Sequence, residues 1–128
     1  MTGGGRKLWD AGEYGRLARR AVARLGWEPA TLVVAGEFFT RLLGMVVEPP
    51  VDAAGRPTVY AFPLCNSVHT CFMRYPLNIA FVDKEGAVLA VREGVAPWRL
   101  VAHPGAAMAL ERASCIEEAV RVAPLAAT

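Results

Sequence analysis

A chain of 128 residues is long enough to bury one hydrophobic core unaided and too short to need several, so disulfide or metal staples are not required. Hydrophobic residues make up 54% and charged residues 20%, which excludes intrinsic disorder and fibrous repeats. Fourteen basic residues against twelve acidic ones leave +2, without the basic excess that marks nucleic-acid-binding domains.

Residues 1–9, with Gly3-Gly4-Gly5, read as a flexible start. Residues 10–27 carry a helix. Asp10 can cap it with Glu13 three positions on, and Tyr14, Leu17, Ala18, Ala21, Val22 and Leu25 recur at three- and four-residue spacing until Gly26 stops the run. Arg16, Arg19, Arg20 and Arg24 form the opposite stripe. A solvated face is the preferred reading of that stripe, because the apolar side has few large residues to insert into a membrane.

Residues 28–128 read as one β-rich domain, with no internal repeat. Thr31 to Ala35 is a short β-branched strand, and Phe38 to Met45 suits one or two helical turns. Glu48 to Pro57 is a Pro/Gly loop, and Thr58 to Phe62 a strand leading through Pro63 into the richest stretch, Leu64 to Asp83. If the first half of that stretch is extended, Cys65, Ser67, His69, Cys71 and Met73 share one face, and Asn66, Val68, Thr70, Phe72 and Arg74 the other. After Pro76, Leu77, Ile79 and Phe81 alternate as a half-buried strand should. Asp83 to Gly86 is a hairpin turn. The returning strand from Ala87 to Val91 is nearly all apolar and is expected to be central. Arg92 to Arg99 forms a connection and a short extended piece, followed by a turn at His103-Pro104-Gly105 and a last strand from Ala106 to Leu110. Ser114 and Glu117 have capping-box spacing for a short helix from Cys115 to about Val122. Short strands joined by Gly/Pro turns predict a mainly β fold, a small antiparallel barrel or sandwich, with the N-terminal amphipathic helix and one or two short helices packed outside.

The run from Cys65 to Asp83, with His69-Thr70, Met73-Arg74-Tyr75 and a strand ending Phe81-Val82-Asp83, resembles an uncharacterised bacterial and archaeal family, domain of unknown function 192. Arg41-Leu42 and Gly44-Met45 upstream, and Gly86, Val88, Val91, Pro97 and Ala106 to Glu111 downstream, extend the resemblance over residues 31–112. It implies a compact β sandwich or barrel with no established enzymatic activity. The chain departs from the family pattern at Asn78, where an acid is usual, and at Phe72, where a small residue often precedes Met. A neutral amide at 78 can be neither a general base nor a strong metal ligand, which leaves it a hydrogen-bonding role in a turn or strand.

The three cysteines, Cys65, Cys71 and Cys115, lack a Cys-x-x-Cys pair and read as reduced thiols. Met1 to Lys7 lacks the apolar run of a secretory signal, and no window approaches the roughly 20 apolar residues of a membrane helix, so a cytoplasmic location is expected. Along a strand rising ~3.3 Å per residue, Cys65, His69 and Cys71 spread over roughly 20 Å, too far for one ion, so neither metal nor cofactor is expected. A Cys–His nucleophile would need the sulfur within hydrogen-bond reach of the ring, and no oxyanion-hole sequence accompanies it, so no catalytic residue is assigned.

Arg74 can bind a carboxylate or phosphate bidentately, although an internal ion pair with Asp83, Glu93 or Glu111 is the preferred reading. His69 is more often a satisfied structural histidine than a ligand, and Trp98 after Pro97 can line a pocket, although packing in the core or at a rim is the preferred reading. The leading expectation is a non-enzymatic module binding a small anionic ligand in a pocket around Asn66, His69, Met73, Arg74 and Trp98. The alternative is a structural or protein-interaction domain with no small-molecule site, and a Cys/His-dependent enzyme comes third. Neither nucleic acid nor an integral membrane segment is expected, and the chain is expected to be a monomer or weak homodimer. A concave polar pocket at the motif would favour a ligand, and an exposed apolar patch a partner.

Overall fold

The computed structural model describes residues 11–35 and 50–122. The expected flexible start and the helical turns at Phe38 to Met45 lie outside the described residues. The first element is a helix, α1 (Ala11–Leu25), as the periodicity predicts. Gly26 ends it with φ of 74°. The Gly26 N–H donates to the Ala23 carbonyl at 3.1 Å and the Trp27 N–H to the Val22 carbonyl at 3.0 Å, the two bonds of a Schellman cap.

Among the described residues seven strands follow: β1 (Thr31–Val34), β2 (Thr58–Pro63), β3 (Ser67–His69), β4 (Leu77–Val82), β5 (Val88–Val95), β6 (Leu100–Ala102) and β7 (Met108–Ala113), before a further helix, α2 (Ile116–Val122). Five of them form an open sheet in the order β1-β2-β7-β4-β5, and β3 pairs with β6 in a separate two-stranded sheet. The sandwich expectation therefore holds and the barrel does not, since β1 and β5 are edges that never meet. One pair departs from the antiparallel expectation: β1 runs parallel to β2, with Thr31 opposite Thr58.

The large sheet is buried on both faces. Against one face α1 places Tyr14, Ala18, Ala21 and Val22, with Trp27, over Val59, Ala61, Ala80, Val82, Met108 and Leu110. Against the other, Val68 and Val101 of the small sheet join Met73, Tyr75 and Ala119 over Tyr60, Phe62, Ile79 and Phe81. Double coverage explains why every residue of β2 and β4 is buried, where alternation had suggested a half-buried β4.

The expectation of a central returning strand is also overturned. β5 is the outer strand, with Leu89 and Val91 exposed, and the central position belongs to β7, between β2 and β4. β5 shifts register against β4 twice, between its partners to Phe81 and Val82 and between those to Leu77 and Ile79. At the second shift Leu77 opposes Val95 and Ile79 opposes Arg92, so β5 carries an extra residue, a bulge that blunts an exposed edge. The Asn78 Oδ1 accepts the Gly94 N–H there at 2.9 Å. The amide at the family's usual acid position thus satisfies a donor that the bulge frees.

Candidate functional site

The motif does not run as one extended strand. Leu64, at φ of 56°, breaks the chain before β3, and the Met73 N–H donates to the Thr70 carbonyl at 3.2 Å to close a turn directly after it. The expected shared face of Cys65, Ser67, His69, Cys71 and Met73 is therefore split. Cys65 and Met73 are buried in the core, Ser67 and His69 are exposed, and Cys71 is half-buried. The Cys65 thiol donates to the Ser67 carbonyl at 3.0 Å, and the lone pair of His69 Nδ1 accepts the Cys71 N–H at 3.3 Å. This leaves the Cys–His pairing without the common face it required.

The remaining candidates divide as follows. Asn66 is exposed, at the end of β3 remote from Trp98, and its carbonyl accepts the His103 N–H at 2.8 Å. Arg74 is exposed, and among the described residues it makes no ion pair with Asp83, Glu93 or Glu111. Trp98 is 59% exposed and meets Phe72, 62% exposed, with ring centroids 4.7 Å apart and planes tilted by 59°. Leu100, 73% exposed, stands opposite His69 in the β3–β6 register. Partners across a strand pair share a face, so His69 and Leu100 lie side by side on the outside of the small sheet while Val68 and Val101 point inward.

Thr70 holds this cap together. It is fully buried. Its hydroxyl donates to the Ala96 carbonyl at 2.7 Å and accepts the Arg99 N–H at 2.9 Å. Its own N–H donates to the Arg99 carbonyl at 2.9 Å, and its carbonyl accepts the Trp98 N–H at 3.1 Å as well as that of Met73. The Phe72 turn and the Trp98 turn are thereby fixed to one residue. Both aromatic residues sit in the left-handed region, Phe72 at φ of 69° and Trp98 at 65°, a conformation that costs a bulky side chain about 1–2 kcal/mol.

Charge on the cap is one-sided. Segments 64–82 and 94–110, which supply both turns and the small sheet, contain no Asp, Glu or Lys, but carry Arg74 and Arg99. Beneath it Tyr75 is buried, and that burial, followed by the nearby Glu111 carboxylate, pushes its phenol up to about 12. Among the described residues no group of three His, Cys, Asp or Glu side chains is placed to hold a metal ion. No described helix is long and apolar enough to cross a membrane.

Sequence reasoning singled out Trp98 but not its neighbours Phe72 and Leu100. Phe72 carried a signal, since it replaces the family's small residue before Met. Leu100 carried none, because its neighbourhood depends on the pairing of β3 with β6 across some thirty residues of chain.

Two solved structures resemble the fold. One, from Sinorhizobium meliloti 1021, is provisionally described as a transcription regulator and matches with a TM-score of 0.55 and 15% identity, covering 73% of this chain and 75% of that one. The other, a protein of unknown function from Novosphingobium aromaticivorans DSM 12444, matches with a TM-score of 0.53 and 15% identity, covering 73% and 69%. At that identity the likeness concerns the fold alone. Comparison with curated proteins yields no match. Over residues 21–123, however, the chain fits the model of the DUF192 family, described as an uncharacterized ACR, and the protein is a member of that family.

Proposed function

We propose that the protein is a non-enzymatic binding module whose recognition surface is the cap built by the Phe72 and Trp98 turns. The observation that carries this reading is the Phe72–Trp98 pair, two large rings in contact with each other, mostly exposed and held in an unfavourable backbone conformation. Neither ring belongs to the two buried clusters. Folding alone gives no reason to keep bulky aromatic residues at left-handed positions, where glycine would sit without cost.

In this reading Phe72, Trp98 and Leu100 supply apolar contact, while Arg74, Arg99 and His69 attract and orient an anionic group. Met73 acts from below, as part of the core on which the turn rests. Asn66 lies at the far end of the small sheet and would meet only a ligand long enough to follow it. The three free cysteines suit work in the reducing cytoplasm.

The test is a titration with anilinonaphthalene sulfonate, a dye that combines an apolar aromatic body with one negative charge. We expect native protein to bind it with amide shifts confined to 70–74 and 96–100, and Trp98→Ala to weaken binding about tenfold, the loss of roughly 1.4 kcal/mol of contact. Absence of binding, or equal binding by Trp98→Ala and Phe72→Ala with intact folds, would remove the cap as the recognition surface.

A further inference from the structure

The reading above leaves the kind of partner open, and the cap's composition narrows it. We infer that the cap docks an acidic peptide segment of another protein, one that lays a large apolar or aromatic side chain against Phe72 and Trp98 and sets carboxylates beside Arg74 and Arg99. This rests on the binding reading and deepens it.

Three observations select this occupant. The cap shows the residue usage of an interface centre, with exposed Trp98, Phe72, Arg74 and Arg99 and with Lys, Asp and Glu absent from both segments. Trp and Arg beside one another are also the residues most often found to dominate protein–protein affinity. Second, the charge is complementary to acid and hostile to a second copy of this chain, since two such caps face to face would bring four arginines together with no carboxylate between them. Third, the surface is preformed: Thr70 fixes both turns through its hydroxyl and its backbone, so little conformational freedom remains to be lost on docking. A bilayer is the less favoured occupant. Anchoring to anionic lipid draws on clusters of four or more basic residues, roughly twice what the cap's arginines provide, and it gains nothing from a fixed ring geometry.

A random peptide library selected on the immobilised full chain, with counter-selection on the Phe72→Ser/Trp98→Ser double variant, tests the inference. Enriched sequences should place an aromatic or large aliphatic residue among Asp and Glu. The synthetic consensus peptide should bind at least tenfold more weakly to Trp98→Ser and to Arg99→Glu, and more weakly as salt rises. Circular dichroism melting of each variant separates lost binding from lost folding, and Arg99→Glu, an exposed substitution, serves if a serine variant fails to fold. If no acidic-aromatic consensus emerges while anilinonaphthalene sulfonate still binds the cap, the peptide partner is wrong and the binding surface stands. If the dye fails as well, the surface itself is wrong. Tighter binding to phosphatidylglycerol vesicles than to any selected peptide, or a self-association that Trp98→Ser abolishes, would likewise overturn the inference in favour of a bilayer or a second copy.

Discussion

Thr70 concentrates more of the site's geometry than any of the exposed residues around it. Its hydroxyl reaches both sides of the Trp98 turn, 26 and 29 residues away along the chain, donating to the Ala96 carbonyl and accepting the Arg99 N–H, while its own carbonyl closes the Phe72 turn. Replacing it with valine keeps the shape and deletes the hydroxyl, which takes a partner from the Ala96 carbonyl and the Arg99 N–H in a part-buried place. We expect Thr70→Val to lower stability by about 1–3 kcal/mol in denaturant unfolding, with an unchanged slope, whereas Thr70→Ser keeps both bonds and loses only a methyl. Because the same bonds set the Trp98 backbone, Thr70→Val should also weaken dye binding, and Thr70→Ser should not. Equal effects of the two variants would show that the methyl, not the hydroxyl, positions the cap. At this scale the sequence was partly legible. Asn78, set apart as a neutral amide where an acid is usual, does make a purely structural hydrogen bond, whereas nothing local in His69-Thr70-Cys71 distinguishes a buried threonine from an exposed histidine.

Among the elements, the loop from Pro50 to Pro57 shows how a surface segment is tied to the sheet. Asp52 accepts hydrogen bonds from the N–H groups of Ala54 and Arg56, each at 2.9 Å, and from the Thr31 hydroxyl at the start of β1, and it pairs with Arg56 Nε at 3.1 Å. The Thr31 bond first, then the Arg56 N–H, hold its carboxyl at about 2, below the usual 3.8. A carboxylate whose folded value is depressed stabilises the fold above its unfolded value, and that contribution disappears as pH falls from about 4 through about 2. Acid unfolding followed by circular dichroism should therefore show Asp52→Asn losing less stability than wild type between pH 4 and pH 2, although the variant starts from a lower stability at pH 7. Parallel curves would mean that the loop contacts do not outlast the unfolded state.

Strand order was harder to read than strand existence, for a reason visible in β5 and β7. β5 looked central because Ala87 to Val91 is apolar, yet it is an edge whose bulges and whose Arg92 and Glu93 keep other chains from pairing with it. β7 reads in the sequence only as a last strand from Ala106 to Leu110 with no place in the sheet assigned, yet it is central. Arg112 reaches the rim of the α1 face, where its guanidinium lies 4.5 Å from the centre of the Trp27 ring and burial lowers its proton affinity. Hydrophobic pattern reports how much of a strand is buried, and polar strand ends that find partners across the sheet defeat it.

For the whole molecule, two buried clusters hold the fold, and the Phe72 and Trp98 rings of the cap lie outside both. The long-range pairing of β3 with β6, which creates the cap, is a product of the sheet arrangement and has no trace in local periodicity. The division can be measured. Truncating a core aromatic such as Phe81, which has no exposed surface, should cost about 3–5 kcal/mol. The Phe72→Gly/Trp98→Gly double variant removes two rings as well, but it relieves two left-handed positions at about 1–2 kcal/mol each and gives up one ring contact of about 0.5–1.5 kcal/mol, together with some unfolded-chain entropy. These contributions nearly cancel, so its stability should remain within about 1 kcal/mol of wild type while binding of the dye is abolished. Unfolding free energies of the two variants, compared in one denaturant series, decide the matter. A loss for the double variant as large as that for Phe81→Ala would make the aromatic pair a third core, whereas near-neutral stability with lost binding assigns the rings to recognition.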